Sequence, residues 1–163
     1  MINKEYIESG IFFEDLTEGQ IINHPRGRTL IDADCVWLSL ITGDQNQIHY
    51  NLKYAKDNFE GEPFNGKLAV NGLYILMIVN SITGPETSTN GIFLGLDKLR
   101  LVNPCFPGDT LLARSTVLEK RVSKKHDTMG IVKISVEGYK LDGKPVISYE
   151  KSFMTRHRNA RFK

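Results

Sequence analysis

Asp44, Asn46 and His49 stand close together in the stretch Asp44-Gln45-Asn46-Gln47-Ile48-His49, in the pattern D-x-N-x-x-H. An ionised carboxylate and an imidazole on one short loop can hold a single water between them, one accepting its proton while the other orients it or returns a proton. Residue types alone do not decide the matter. Asp, Asn and His are also common turn residues, and a loop Asp beside a His more often makes a local hydrogen bond than an active site.

The segment on the C-terminal side of His49 strengthens the functional reading. A short helical turn, Leu52 to Asn58, leads through Phe59 and a loop containing Gly61, Pro63 and Gly66 into Leu68 to Thr83, LAVNGLYILMIVNSIT, the most continuously apolar run in the sequence. This run is too long for a typical strand, is closed by Gly84-Pro85 and has its start marked by Asn71-Gly72, which predicts a buried helix over 68–83. Amides at a helix N-terminus can face an anion or a polarised carbonyl, and Gly72 has no side chain to block the approach. The plainer alternatives are tight helix–sheet packing for Gly72 and a helix cap for Asn71, which otherwise hydrogen-bonds a substrate group. A helix apolar on nearly all sides needs cover on nearly all sides.

The flanking elements supply that cover. Ile11-Phe12-Phe13 forms an apolar plug after a polar extension over residues 1–10, and Gln20 to Asn23 reads as a short strand. In His24-Pro25-Arg26-Gly27-Arg28-Thr29 a bend separates Arg26 and Arg28; two arginines aimed inward would suit an anionic group, whereas outward they are a solvated face. Asp32 to Ile41 predicts a helix with Thr29 or Asp32 as caps, an apolar face of Val36, Trp37, Leu38, Leu40 and Ile41, and Gly43 at its C-terminal turn. Beyond Pro85 the pattern turns extended: 91–103, 110–123, 130–141 and 144–156 are four long candidate strands, with Asp142-Gly143 as a type I′ hairpin signal. Val132, Ile134 and Val136 alternate with polar residues at the period of a half-buried antiparallel strand. The sum is an α+β domain whose long antiparallel sheet curls around one central helix.

Composition bounds the rest. With 163 residues, 40% hydrophobic and 25% charged, the chain reads as one ordinary globular domain. A net charge of +2 gives no reason to expect nucleic acid or a membrane surface as partner. The N-terminus has no apolar signal-peptide core, the run at 68–83 falls short of a bilayer span, and Cys35 and Cys105 read as reduced thiols, so the expected location is the cytoplasm. None of the four histidines lies in a metal-ligand spacing.

The order TGDQNQIHYN, then YA, Phe59, a polar residue plus Gly opening a long apolar helix, and NPCFPGDTL resembles the MaoC-like, R-specific enoyl-CoA hydratase family from about Phe12 to Arg156. FFEDLTEGQ, HPRGRT, VNGL, LGLDKLRLVNPCFPGDTL and VLEKRVS are similar to its branch for branched C5 dicarboxylic thioesters, the itaconyl-CoA and mesaconyl-CoA hydratases. The chain departs from many members in carrying Asn71 where they have His and Gln47 where they have Pro.

The resemblance implies a hot-dog domain over 11–157 with a basic tail over 158–163. It implies Asp44 and His49 as the catalytic pair and the Gly72 amide as oxyanion hole. Asn46 and Asn71 are implied beside the substrate, and Arg26 and Arg28 would meet a second carboxylate. The implied reaction adds water reversibly across the C2=C3 bond of an enoyl-CoA thioester, with no metal or redox cofactor and coenzyme A as part of the substrate. Its phosphates have as candidate partners Arg100, Arg121, Lys124 and Lys125 and, towards the tail, Arg156, Arg158, Arg161 and Lys163. A homodimer or higher homo-oligomer is expected. The alternatives are a hot-dog thioesterase, an acyl-carrier-protein dehydratase, or a hot-dog protein that binds acyl-CoA without turnover.

Overall fold

The computed structural model describes residues 10–160. The expected polar extension therefore falls almost wholly outside the described residues, as do Arg161 and Lys163. Five strands, β1 (Ile21–Thr29), β2 (Gly91–Leu101), β3 (Thr110–Val122), β4 (Met129–Lys140) and β5 (Pro145–Arg156), form one sheet in the order β1-β3-β4-β5-β2. All four pairings are antiparallel. The helices are α1 (Asp32–Thr42), α2 (Leu52–Asn58), α3 (Gly72–Ile82) and the short α4 (Gly84–Thr87).

The sheet curls around α3. Ile75, Ile78, Val79 and Ile82 repeat at i, i+3, i+4 and i+7 and are buried against the inward residues Val117, Ile134, Val136, Ile147 and Tyr149. Each buried branched side chain contributes about 1.5–3 kcal/mol relative to exposure. Gly138 allows the close approach, since a Cβ there would lie 2.8 Å from a Val79 methyl. The α+β hot-dog architecture expected from the sequence is the one observed.

Several boundaries differ, each for a physical reason. The central helix starts at Gly72, not Leu68, because residues 68–70 spend their backbone groups elsewhere: Ala69 N–H donates to Ile48 O and Val70 N–H to Cys105 O. The strand expected over 20–23 runs on to Thr29, with the register shifting between His24 and Arg28. Pro25 is tolerated because β1 is an edge strand. Asp34, not Thr29 or Asp32, caps α1, accepting the Ile31 N–H at 2.8 Å. The expected apolar face of α1 is largely open: Trp37, Leu40 and Ile41 are exposed, while Asp34, Cys35 and Ser39 are buried. At the β4–β5 hairpin only Gly143 takes positive φ, so the turn is not type I′.

Cover for α3 is also one-sided within the chain. Leu73 and Met77 are more than half exposed, and so are Ile92, Phe93 and Leu101 on the edge strand β2.

Candidate active site

Asp44 follows the left-handed Gly43 that ends α1, and His49 ends a 3-10 turn over Gln47–His49. Asn46 caps that turn, its Oδ1 accepting from Ile48 N–H at 3.4 Å. The D-x-N-x-x-H spacing thus places acid and imidazole on the same side of one tight loop. His49 Nε2 lies 3.8 Å from Asp44 Oδ2. That gap is too long for a direct hydrogen bond and short enough for one water to touch both groups.

The surroundings fix each partner's chemical state. His49 Nδ1 is 2.7 Å from the Ala69 carbonyl, which can only accept, so the ring proton sits on Nδ1. In the neutral ring Nε2 is then a bare acceptor facing the carboxylate. A water donating one hydrogen to each would turn its lone pairs outward. Asp44 Oδ1 accepts the Asn46 N–H at 3.0 Å, and Oδ2 accepts from Asn71 Nδ2 at 2.9 Å and from Ser39 Oγ at 3.5 Å. Chiefly through the Asn46 amide, helped by His49, Asn71 and Ser39 against some desolvation, the Asp44 carboxyl is held below the usual carboxylate range. It is ionised and fixed at neutral pH.

Asn71 has a second task, because its Oδ1 caps the Leu73 N–H at 2.9 Å. The Gly72 N–H is one of the first-turn amides that helix geometry leaves without an intrahelical partner. A Cβ on Gly72 would lie 2.3 Å from a Leu101 methyl, so Leu101 occupies the space where a side chain would otherwise stand. Gly72 and His49 both border a cavity of about 360 Å³, with Asn46, Phe59, Phe64 and Leu101 among its walls. Asp44 stands behind His49, outside that lining. Phe64 meets Phe59 and Phe106 edge-on at centroid distances of 5.4 and 6.4 Å, giving the cavity a stiff apolar side.

The loop acid, the imidazole, Asn46, Asn71 and Gly72 thus come together, whereas Arg26 and Arg28 do not join them. Arg28 pairs with Asp34 at 2.6 Å, and Tyr74 OH donates to the same carboxylate oxygen at 2.9 Å. Tyr74 is two residues beyond Gly72, about 200° round the helix, and neither arginine lines the cavity. No cation lines it. Sequence reasoning missed Ser39, the Ala69 carbonyl and Leu101, none of which carries a local signal. Cys105 also borders the cavity, but burial pushes its thiol up to about 12, which leaves it protonated and inert.

The structure shows no group of three or more His, Cys, Asp or Glu side chains arranged to hold a metal among the described residues. No helix among them is long and apolar enough to cross a membrane.

A family model described as mesaconyl-CoA hydratase matches residues 3–162. The chain is 29% identical over 158 residues to mesaconyl-CoA hydratase of Cereibacter sphaeroides, covering 93% of this chain and 43% of that protein. It is 30% identical over 152 residues to β-methylmalyl-CoA dehydratase of Chloroflexus aurantiacus, covering 92% and 41%. The chain therefore spans less than half the length of these relatives. Among solved structures, a MaoC domain dehydratase from Chloroflexus aurantiacus superposes with a TM-score of 0.82 at 28% identity, over 94% of this chain and 43% of that one. A double hot-dog protein from Mycobacterium tuberculosis shares the fold with a TM-score of 0.79 at 16% identity, over 96% of this chain and 47% of that one.

Proposed function

From a chain that belongs to the MaoC-like hydratase and dehydratase family, as matched by the mesaconyl-CoA hydratase model over 3–162, we propose a reversible enoyl-CoA hydratase acting on a branched C5 dicarboxylic thioester. The observation that carries the reading is the His49–Asp44 gap of 3.8 Å, with His49 held at Nδ1 and Asp44 held by amide donors.

The thioester carbonyl takes the Gly72 N–H, so that enolate charge developing on its oxygen meets a fixed donor and the positive end of α3. The water held between Asp44 and His49 adds its oxygen to C3. Asp44 is the principal base, His49 orients the water, and the proton the pair accepts returns through His49 to C2 on the same face. The product is a 3-hydroxyacyl thioester, and dehydration retraces the path. The names of the similar proteins, mesaconyl-CoA hydratase and β-methylmalyl-CoA dehydratase, support the dicarboxylic class. With no arginine at the cavity, Asn46 is the group assigned to a second carboxylate: its Oδ1 is engaged by Ile48 N–H, leaving its NH₂ to donate.

The working unit in this reading is a homodimer in the cytoplasm. The open edge of β2 and the exposed Leu73 and Met77 of α3 are the apolar surface a second copy would cover. The test is turnover of mesaconyl-CoA, itaconyl-CoA and crotonyl-CoA by the purified protein, read as loss of the conjugated double bond and gain of hydroxyacyl product. Hydration of a C5 dicarboxylic thioester is expected. Turnover of crotonyl-CoA alone overturns the substrate class, and release of free coenzyme A overturns the reaction.

A further inference from the structure

The walls of the cavity beside Gly72 are unequal. Leu101 and Val102, each more than half exposed, stand on its open side, while Val70, Ile75 and Cys105 are buried and form its floor. Phe64 closes on that floor from the loop between α2 and α3. Its ring meets Phe106, the residue after Cys105, and Phe59, the residue after α2. The loop that carries it is tied to itself and to the end of α2. The Phe64 and Asn65 N–H groups both donate to Gly61 O, at 3.2 and 3.0 Å, Gly66 N–H donates to Phe59 O at 2.7 Å, and Lys67 N–H to Phe64 O at 3.1 Å. Asn65 and Gly66 take φ of +50° and +66°, the left-handed conformation that turns the chain back on itself. Behind the ring, Phe106 is held by the ammonium groups of Lys67 and Lys140, 5.8 and 5.4 Å from its centroid. A side chain so placed yields little to a ligand that presses on it.

We propose that Phe64 is a specificity-determining residue whose ring ends the acyl pocket and confines the site to short acyl groups. The inference rests on the thioester reading above and deepens it by naming the substrates that are shut out. With the carbonyl on the Gly72 amide and C3 beside His49, the carbons beyond C3 have the apolar floor to occupy, and coenzyme A leaves by the open side. A C5 dicarboxylic group turns its second carboxylate to Asn46 and ends there. A straight chain of eight carbons has no polar end to turn and runs on into the ring. Truncation at this position should spare the fold, because Phe64 is not part of the hydrophobic core packed around α3.

The test is calorimetric binding of butyryl-, hexanoyl- and octanoyl-CoA, which needs no turnover, to the parent protein and to the variants Phe64→Ala and Phe64→Leu. The parent is expected to bind octanoyl-CoA at least tenfold more weakly than butyryl-CoA, since a single methylene in an apolar pocket is worth about 10–200-fold. Alanine should erase that preference, and leucine should reduce it part of the way. Should alanine disturb the loop, the graded shift with leucine still decides. In turnover, kcat/KM for oct-2-enoyl-CoA should be at least tenfold higher for the alanine variant than for the parent. A parent without the length preference, or a preference unchanged in both variants, overturns the proposal. An equal loss of affinity for all three thioesters, shared by free coenzyme A, puts the ring beside the pantetheine arm and overturns it too. Absence of acyl-CoA binding in parent and variants alike overturns the proposal together with the thioester reading. A length preference that the variants lose, in a protein that hydrates nothing, upholds the role of the ring and sinks the reaction instead.

Discussion

Histidine faces a carboxylate at both ends of α3, and the two pairs are built for opposite purposes. His24, fully buried on β1, has both ring nitrogens engaged: Nδ1 lies 2.7 Å from Glu86 Oε2 and Nε2 2.8 Å from Ser115 Oγ. His49, which borders a cavity, has one nitrogen tied to a backbone carbonyl and the other bare, 3.8 Å from the partly exposed Asp44 carboxylate. The first pair is closed and does structural work, joining β1, β3 and α4 beneath the sheet. The second leaves room for a reactant. Chemistry is marked here by the bond left unmade rather than by the residue types, which the two sites share.

Opening this comparison at its reactive end gives the largest expected effect. Asp44→Asn keeps the shape of the side chain but removes the base of the proposed reaction, and kcat should fall by about 10³, within the usual range for one positioned acid–base group. Binding of the 3-hydroxyacyl thioester should stay within a few fold, measured by calorimetry. An Asp44→Asn protein with near-parental turnover would mean that His49 alone carries the proton.

The closed end should respond in stability rather than in rate. His24→Leu leaves Glu86 buried without its partner, and removing one member of a buried pair costs about 3–5 kcal/mol. Urea denaturation should show that loss, while kcat of the remaining folded protein stays within about threefold. A parallel collapse of kcat in fully folded protein would mean that the two ends of α3 are coupled.

How readily each end reads from sequence depends on the separation of its parts. D-x-N-x-x-H is visible because its geometry is local, and Asn71-Gly72 marks the start of α3 because capping is local too. His24, Glu86 and Ser115 meet across 62 and 91 positions, which no periodicity reports. Arg28 looks available for a ligand in the sequence because its partner, Asp34, lies beyond the strand end on the next helix and reads as a helix residue. The exposed Leu40 and Ile41 of α1 and Leu73 and Met77 of α3 read as core because hydropathy gives the need for cover without saying which surface supplies it.

Lys151 sharpens the contrast at the closed end. It is buried on the inner face of β5, donating to Thr87 Oγ1 at 2.8 Å with no carboxylate on it among the described residues, and burial lowers its ammonium to about 8 from 10.5. Between those values the unfolded chain holds a proton that the folded one has released, so stability rises with pH across that window. Below about pH 8 the buried charge costs on the order of 3 kcal/mol. Lys151→Met should therefore raise stability at pH 7 and flatten the rise between pH 8 and 10.5, as followed by denaturation at stepped pH. A variant less stable than the parent at pH 7 would show that the Thr87 bond outweighs the burial of charge.

The smallest expected effect tests whether the open end is as deliberately held as the closed one. Asn71 caps α3 through Oδ1 and steadies Asp44 through Nδ2, so Asn71→Ala should lose about 1 kcal/mol of stability as a cap. It should also remove one of the donors that hold the Asp44 carboxyl low. In the proposed reaction the ionised carboxylate is the working form, so activity should be lost as pH falls through its pKa, and raising that pKa should move the acid limb of kcat/KM to higher pH. Asn71→Ser separates the two roles, because a serine hydroxyl can still cap Leu73 but is too short to replace the amide on Asp44. Stability should return with serine while the acid limb stays displaced. If serine restores both, Asn71 acts on Asp44 only by holding the end of the helix.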